Sequence, residues 1–293
     1  MNADQEHNTL RKKGIQYLAA VRRNGLELER IPVKFKTAEL CLAAVQNCGS
    51  SIQYVPNSLK TTEICLAAVQ CNRMNDNSNA LLYVPDELKT EKLCVSAVQN
   101  RGASLQYVPN HLKTPEMCIT AVRKSPYSLE FVPDDIITMD MCIIAIKNPG
   151  FKRWIEPDWI WYSMPETVIG FFGLVPKRFK TQELCLLAIQ HIPNAFKYVP
   201  EEVKTYALCL TAVQHDRNWN PLQYVPENLK TLDLCFHAVK KNGLALRSVP
   251  EELKTAELCL LAVEDSGYSL EYVPEELKTK ELCALAELNK EFD

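Results

Sequence analysis

The residues of this chain best able to do chemistry are its twelve cysteines, which could pair as disulfides, hold zinc or supply a nucleophile. Ten of them, Cys41, Cys65, Cys94, Cys118, Cys142, Cys185, Cys209, Cys235, Cys259 and Cys283, recur at spacings of 24, 29, 24, 24, 43, 24, 26, 24 and 24. None belongs to a Cys-x-x-Cys pair, and no histidine keeps ligand spacing to one. His7, His111, His191, His215 and His237 share no common position, and His215-Asp216 are sequence neighbours that point to no common substrate. No phosphate-binding glycine loop, nucleophile elbow or metalloprotease helix is present. The sequence therefore assigns no catalytic residue, no metal and no cofactor.

Ten prolines explain the cysteines. Pro32, Pro56, Pro85, Pro109, Pro133, Pro176, Pro200, Pro226, Pro250 and Pro274 each stand nine residues before a ladder cysteine. A fixed period over most of a chain marks a stacked array. In the unit from Leu244, Thr255 is placed to cap a helix, Glu257 suits its first turn, and Leu258, Cys259, Ala262 and Val263 share one face at helical spacing. Pro115 in Thr114-Pro115-Glu116 stands at a first helical position. The segment before it, with Leu246, Val249 and Leu253, reads as a turn of helix or irregular chain, then a short helix beginning at the proline. Each unit is a small helical hairpin with too little apolar surface to fold alone, so stacking must supply the core.

The expected fold is all-α: an α-solenoid of about ten to twelve 24-residue helical repeats, interrupted near residues 147–175. A leucine-rich horseshoe is the alternative, because Leu-x-x-Val-Pro-x-x-Leu looks similar. Its strand consensus needs Asn where Val45 follows Leu40-Cys41-Leu42-Ala43-Ala44, and the Ala-Val pair recurs in helical phase. Equivalent positions on stacked helices lie ~8–10 Å apart, beyond the about 7 Å a disulfide spans. The ladder is thus expected to be reduced and buried, in a reducing, cytosolic compartment. Cys48 and Cys71, outside it, are the expected reactive thiols.

The motif Leu-x-Tyr-Val-Pro-Glu-Glu-Leu-Lys-Thr-x-Glu-Leu-Cys-x-x-Ala-Val resembles short α-helical repeats, catalogued as a domain of unknown function, that occur in effector-like proteins of intracellular bacteria. The resemblance spans roughly residues 15–288 and carries no catalytic motif. It implies a bacterial protein delivered into, or acting within, a eukaryotic host cytosol. Its partner would be another protein, a bacterial effector enzyme or a host factor.

All spacing deviations fall between a cysteine and the next proline. Five extra residues enter around Cys71–Ser78, two around His215–Trp219, and nineteen in the middle, where Pro157 and Glu166 take the places of proline and cysteine in an eroded unit. This divides the chain into an N-terminal block (1–146), an aromatic-rich junction (147–175) and a C-terminal block (176–293). Trp154, Trp159 and Trp161 lie in the junction and Trp219 in the shorter insertion, so no regular unit contains tryptophan. Insertions on one edge of a solenoid often mark its binding side. The expected partner-binding residues are therefore Trp154, Trp159, Trp161 and Trp219, with Tyr198 and Tyr224 from a row that also holds Tyr54, Tyr83, Tyr107 and Tyr272. The same row reads equally as an amphipathic edge, its rings packed and its hydroxyls wet.

A glutamate stripe follows the prolines of the C-terminal block (Glu201, Glu202, Glu227, Glu251, Glu252, Glu275, Glu276). Charge over the whole chain is nearly balanced: 33 Lys and Arg face 36 Asp and Glu, which argues against nucleic acid as a partner. No apolar run reaches membrane-spanning length, and no small-molecule substrate is evident. The expected function is a non-catalytic protein–protein interaction module. The alternative is an enzyme whose site lies in the central segment and uses Asp158 and Glu166.

Overall fold

The computed structural model describes residues 3–71, 79–148, 171–192, 194–215 and 220–290. The chain divides into two compact units, Met1–Gly150 and Phe151–Asp293. The first holds helices α1 (Ala3–Arg23), α2 (Ala38–Asn47), α3 (Thr62–Gln70), α4 (Glu91–Asn100), α5 (Pro115–Lys124) and α6 (Met139–Lys147). The second holds α7 (Gln182–His191), α8 (Tyr206–His215), α9 (Leu232–Lys241), α10 (Ala256–Asp265) and α11 (Lys280–Lys290). Among the described residues there is no strand, so the horseshoe alternative falls and the all-α array stands. No helix among them is long and apolar enough to cross a membrane.

One unit shows why the sequence folds this way. After α9 the chain makes a tight 3-10 turn, Gly243–Ser248, then Val249 extends (φ −80°, ψ 130°) because a residue before proline avoids the helical region. Pro250 opens a second 3-10 turn, Glu251–Leu253, closed by Leu253 N–H on Pro250 O at 3.0 Å and Lys254 N–H on Glu251 O at 3.1 Å. Thr255 then caps α10: its hydroxyl oxygen accepts from Leu258 N–H at 3.2 Å. The same cap recurs from Thr37 to Thr279. The uncertain first half of the unit is thus two 3-10 turns hinged at Val-Pro.

Within each unit of the fold the α-helices form one layer and the 3-10 turns a second, each six-residue turn wedged between two successive helices. Leu258, Cys259, Ala262 and Val263 of α10 are buried against Leu246 and Val249. At about 25 cal/mol per Å² of apolar surface, this repeated row is the main source of stability. The wedge is close. A Cβ on Gly102 would meet Ala121 O at 2.4 Å, and one on Gly243 would meet Ala262 O at 2.4 Å. Glycine there lets the turn rest on the next helix's backbone, and alanine keeps that helix narrow.

The regular pattern resumes earlier than residue 176. Phe171–Leu174 is a 3-10 turn, Phe172 fills the buried slot that leucine holds in other units, and Val175 is buried before Pro176. Lys147, at the junction's other edge, still belongs to α6.

Candidate interaction surface

The cysteine ladder is structural. All twelve cysteines are free, and nine of the ten in the ladder are buried. Cys283 is half-buried in α11, where Glu287 stands in the slot of the buried valine. Burial pushes the thiols of Cys118, Cys185, Cys209 and Cys235 up to about 11, partly offset by a nearby lysine ammonium. Cys41, Cys65, Cys94 and Cys259 move the same way for the same reason. A thiol held protonated is a poor nucleophile and metal ligand. No group of His, Cys, Asp and Glu among the described residues could hold a metal ion.

Cys48 and Cys71 are half-buried, as the ladder's exceptions should be, yet both are engaged. Cys48 Sγ lies 2.9 Å from Ser50 Oγ, and Cys71 donates to Gln46 O at 3.7 Å. The Cys71 contact repeats an asparagine row. Asn47 Nδ2 reaches back to Arg22 O at 2.7 Å, Asn100 to Val69 O at 2.7 Å, Asn148 to Arg123 O at 2.8 Å and Asn289 to Val263 O at 2.9 Å. Each satisfies a free carbonyl at the end of the preceding α-helix.

The tyrosine row is partly buried. Tyr54, Tyr83, Tyr107, Tyr198, Tyr224 and Tyr272 are all half-buried. A Cβ on Gly173 would lie 3.1 Å from the ring of Tyr198, so that ring covers the preceding turn. Burial first, and then the Glu29 carboxylate beside it, raise the Tyr54 hydroxyl above its usual range.

Behind the tyrosines runs a lysine ladder that sequence reasoning missed. Lys36, Lys60, Lys113, Lys180, Lys204 and Lys254 donate to the backbone carbonyls of Tyr54, Tyr83, Phe131, Tyr198, Tyr224 and Tyr272 at 2.6–3.1 Å. Each bond joins one repeat to the next. Two of these ammoniums also meet an acid three residues earlier, Lys204 with Glu201 at 2.5 Å and Lys254 with Glu251 at 2.6 Å, and Lys230 and Lys278 pair likewise with Glu227 and Glu275. Four of the seven glutamates of the stripe are therefore paired within their own turn, and two of them, Glu201 and Glu251, to a lysine that bridges to the next repeat. Burial lowers the pKa of Lys60, Lys113 and Lys180. The signal was available: lysine stands five residues before the ladder cysteine in nine of ten units, Ile137 being the exception.

The expected aromatic patch is not among these groups. Trp154, Trp159 and Trp161, with Asp158 and Glu166, lie outside the described residues, as does Trp219. Tyr198 and Tyr224 lie inside them, and their carbonyls hold Lys180 and Lys204. Of the histidines, His111 and His215 are exposed, His191 is half-buried, and half-buried His237 lies 3.5 Å from the Gln214 amide.

With these polar rows consumed in stacking, the outward face of the α-helices is left. One residue after nine of the ten ladder cysteines stands a large apolar side chain: Leu42, Leu66, Val95, Ile119 and Ile143 in the first unit, Leu186, Leu210, Phe236 and Leu260 in the second, with Ala284 after Cys283. All are half-buried or exposed, Leu260 at 43%. Open grooves form beside this row. One is lined by Arg22, Glu39, Leu42 and Gln46, another by Leu66, Gln70, Lys92, Val95 and Gln99.

Comparison with known proteins gives one family. The model of a domain of unknown function (DUF4116) matches residues 17–60, 37–89, 90–137, 207–254 and 231–278. The last two windows are offset by 24 residues, one period of the array. No curated protein and no solved structure matches the chain. The matched windows take in well over half of the 293 residues, and the chain belongs to the family described as a domain of unknown function, DUF4116.

Proposed function

We propose that this protein is a non-catalytic protein–protein interaction module, a bacterial effector or effector regulator that binds and modulates another protein. The observation that carries the reading is the row of half-exposed aliphatic side chains along the α-helical layer. Burying such surface in water is costly to leave undone, and apolar rows rimmed by polar groups mark interaction sites. A stacked array offers that row over a long distance, which suits an extended partner surface. The four tryptophans at the interruptions extend the proposal, since aromatic anchors dominate binding energetics. Delivery into a host cytosol is part of the same reading and accords with twelve free cysteines.

The test starts from the intact chain, immobilised and exposed to bacterial and eukaryotic lysates. A captured protein is purified and titrated against wild type, Trp159→Ala, Trp219→Ala and Tyr198→Ala, with thermal unfolding measured in parallel. Loss of about 2 kcal/mol of affinity at unchanged stability places a residue in the interface. If no purified candidate binds the wild-type chain directly, the interaction reading fails.

A further inference from the structure

We propose that the outward face of α2–α6 is a docking track for an extended, polyproline-II-like segment of a partner protein, with an apolar residue at every third position and basic residues between. The proposal rests on the interaction-module reading and deepens it by naming the form and chemistry of the partner.

Three rows cross this face, one residue per helix. The middle row is Leu42, Leu66, Val95, Ile119 and Ile143, half-buried throughout. Two residues before each ladder cysteine lies an exposed row of Glu39, Glu63, Lys92, Glu116 and Asp140, four carboxylates and one ammonium. The four carboxylates form no ion pair among the described residues. Five residues after the five cysteines stand Gln46, Gln70, Gln99, Arg123 and Lys147, all exposed. The face is thus an apolar strip with a mainly acidic rim on one side and, on the other, three primary amides followed by two cations.

The repeat distance chooses the occupant. Successive packed helices lie ~8–10 Å apart. One turn of polyproline II is three residues and about 9 Å, and every third side chain returns to the same side. A β-strand returns a side chain to one face every ~6.6 Å and an α-helix every ~5.4 Å, and neither matches one contact per repeat. Polyproline II makes no internal backbone hydrogen bonds, so its carbonyls and N–H groups are free for the three glutamine amides, each of which both donates and accepts. The carboxylate row selects basic residues on the segment's other side, a complementarity that sets specificity and encounter rate.

The proposal is tested by fluorescence anisotropy on the full chain, using a labelled fifteen-residue peptide of five Pro-Leu-Lys triplets. Comparison peptides carry Ser for Leu, Glu for Lys, or one added Ser per triplet, which moves leucine to every fourth position. A helix-forming Leu/Lys peptide covers the other geometry. The period-three basic peptide is expected to bind about tenfold more tightly than each comparison peptide, a difference of about 1.4 kcal/mol. Glu63→Lys with Glu116→Lys is expected to remove about tenfold of its affinity, and Gln70→Ala with Gln99→Ala several-fold, with thermal unfolding unchanged because all four side chains are exposed. Equal binding of the period-three and period-four peptides, tighter binding of the helical peptide, or indifference to charge reversal overturns the proposal. If a purified partner binds the chain while every triplet peptide fails, the docking inference falls and the interaction reading survives. If neither binds, both fall.

Discussion

The lysine ladder makes a prediction that its geometry can size. Lys204 is buried, and its ammonium donates to Tyr224 O at 2.6 Å in the next repeat and to Glu201 Oε1 at 2.5 Å. Lys204→Met keeps a flexible stem of similar length and removes both bonds. The Tyr224 carbonyl then loses this charge-assisted bond, worth about 1.5–3 kcal/mol. The Glu201 pair, whose carboxylate is largely exposed, adds ~0–1 kcal/mol. Relief from burying an ammonium offsets part of this. The net loss is about 1–2 kcal/mol, or roughly 2–8 °C in the melting of the second unit at about 2–4 °C per kcal/mol.

Lys278 provides the internal control. It pairs with Glu275 at 2.6 Å in the same 3-10 turn, and among the described residues it donates to no backbone carbonyl. Lys278→Met should therefore change stability by about 0.5 kcal/mol or less. The assay is urea and thermal unfolding of the full chain followed by circular dichroism. Equal losses at the two positions, or a Lys204→Met protein as stable as wild type, would refute the inter-repeat role. The ladder would then be ordinary surface pairing.

Three further outcomes follow from the same geometry. Gly102→Ala, whose Cβ would meet Ala121 O at 2.4 Å, should destabilise by about 2–3 kcal/mol, while Gly14→Ala in α1, with nothing within 4 Å, should stabilise by about 0.5–1 kcal/mol; denaturation midpoints of the two variants check this. In native buffer at neutral pH, thiol-labelling mass spectrometry should find Cys48, Cys71 and Cys283 modified ahead of the nine buried cysteines, which should react only on unfolding. Stability should fall between about pH 9 and pH 11: unfolded thiols lose their protons near 9.0 while Cys118, Cys185, Cys209 and Cys235 hold theirs to about 11, up to about 2 kcal/mol each. Lys60, Lys113 and Lys180, lowered by burial, work in the opposite sense as pH rises, but shifted cysteines outnumber shifted lysines, so urea midpoints should still drop across that window.

The period, the buried cysteines and the Thr-capped helices were legible because each is written one residue at a time at a fixed offset. Val249-Pro250 announced a break that only coordinates could resolve into two 3-10 turns, since Leu246, Val249 and Leu253 satisfy a helical spacing equally well. The lysines were overlooked for a physical reason. Lys-Thr before a helix reads as solvated charge, and nothing local indicates that the acceptor is a carbonyl 18 to 23 residues away. Phe172 was assigned to an aromatic junction, yet it fills a leucine slot, because the sequence shows the residue type before it shows the register. The half-exposed row after the cysteines was hidden in the same manner. In Leu258-Cys259-Leu260 all three residues are apolar, and hydrophobicity alone cannot say that Leu260 is the one facing out.

The constancy of the proline-to-cysteine half follows from this division of labour. In the ten residues from Pro250 to Cys259 the proline starts a 3-10 turn, Leu253 closes it, Lys254 binds the next repeat, Thr255 caps the helix, and Leu258 and Cys259 enter the core. An added residue there would rotate the capped helix by about 100° and pull the lysine off its carbonyl. The cysteine-to-proline connection is the half that takes extra residues. Where it takes extra residues, the following 3-10 turn shortens from the six residues of Gly102–Tyr107 to the four of Ala80–Tyr83 or Pro221–Tyr224, and the close glycine contact is given up. Change is therefore confined to that connection and to the outward face of the α-helices. On the outward face, side chains such as Leu186 and Leu260 are not committed to holding one repeat against the next.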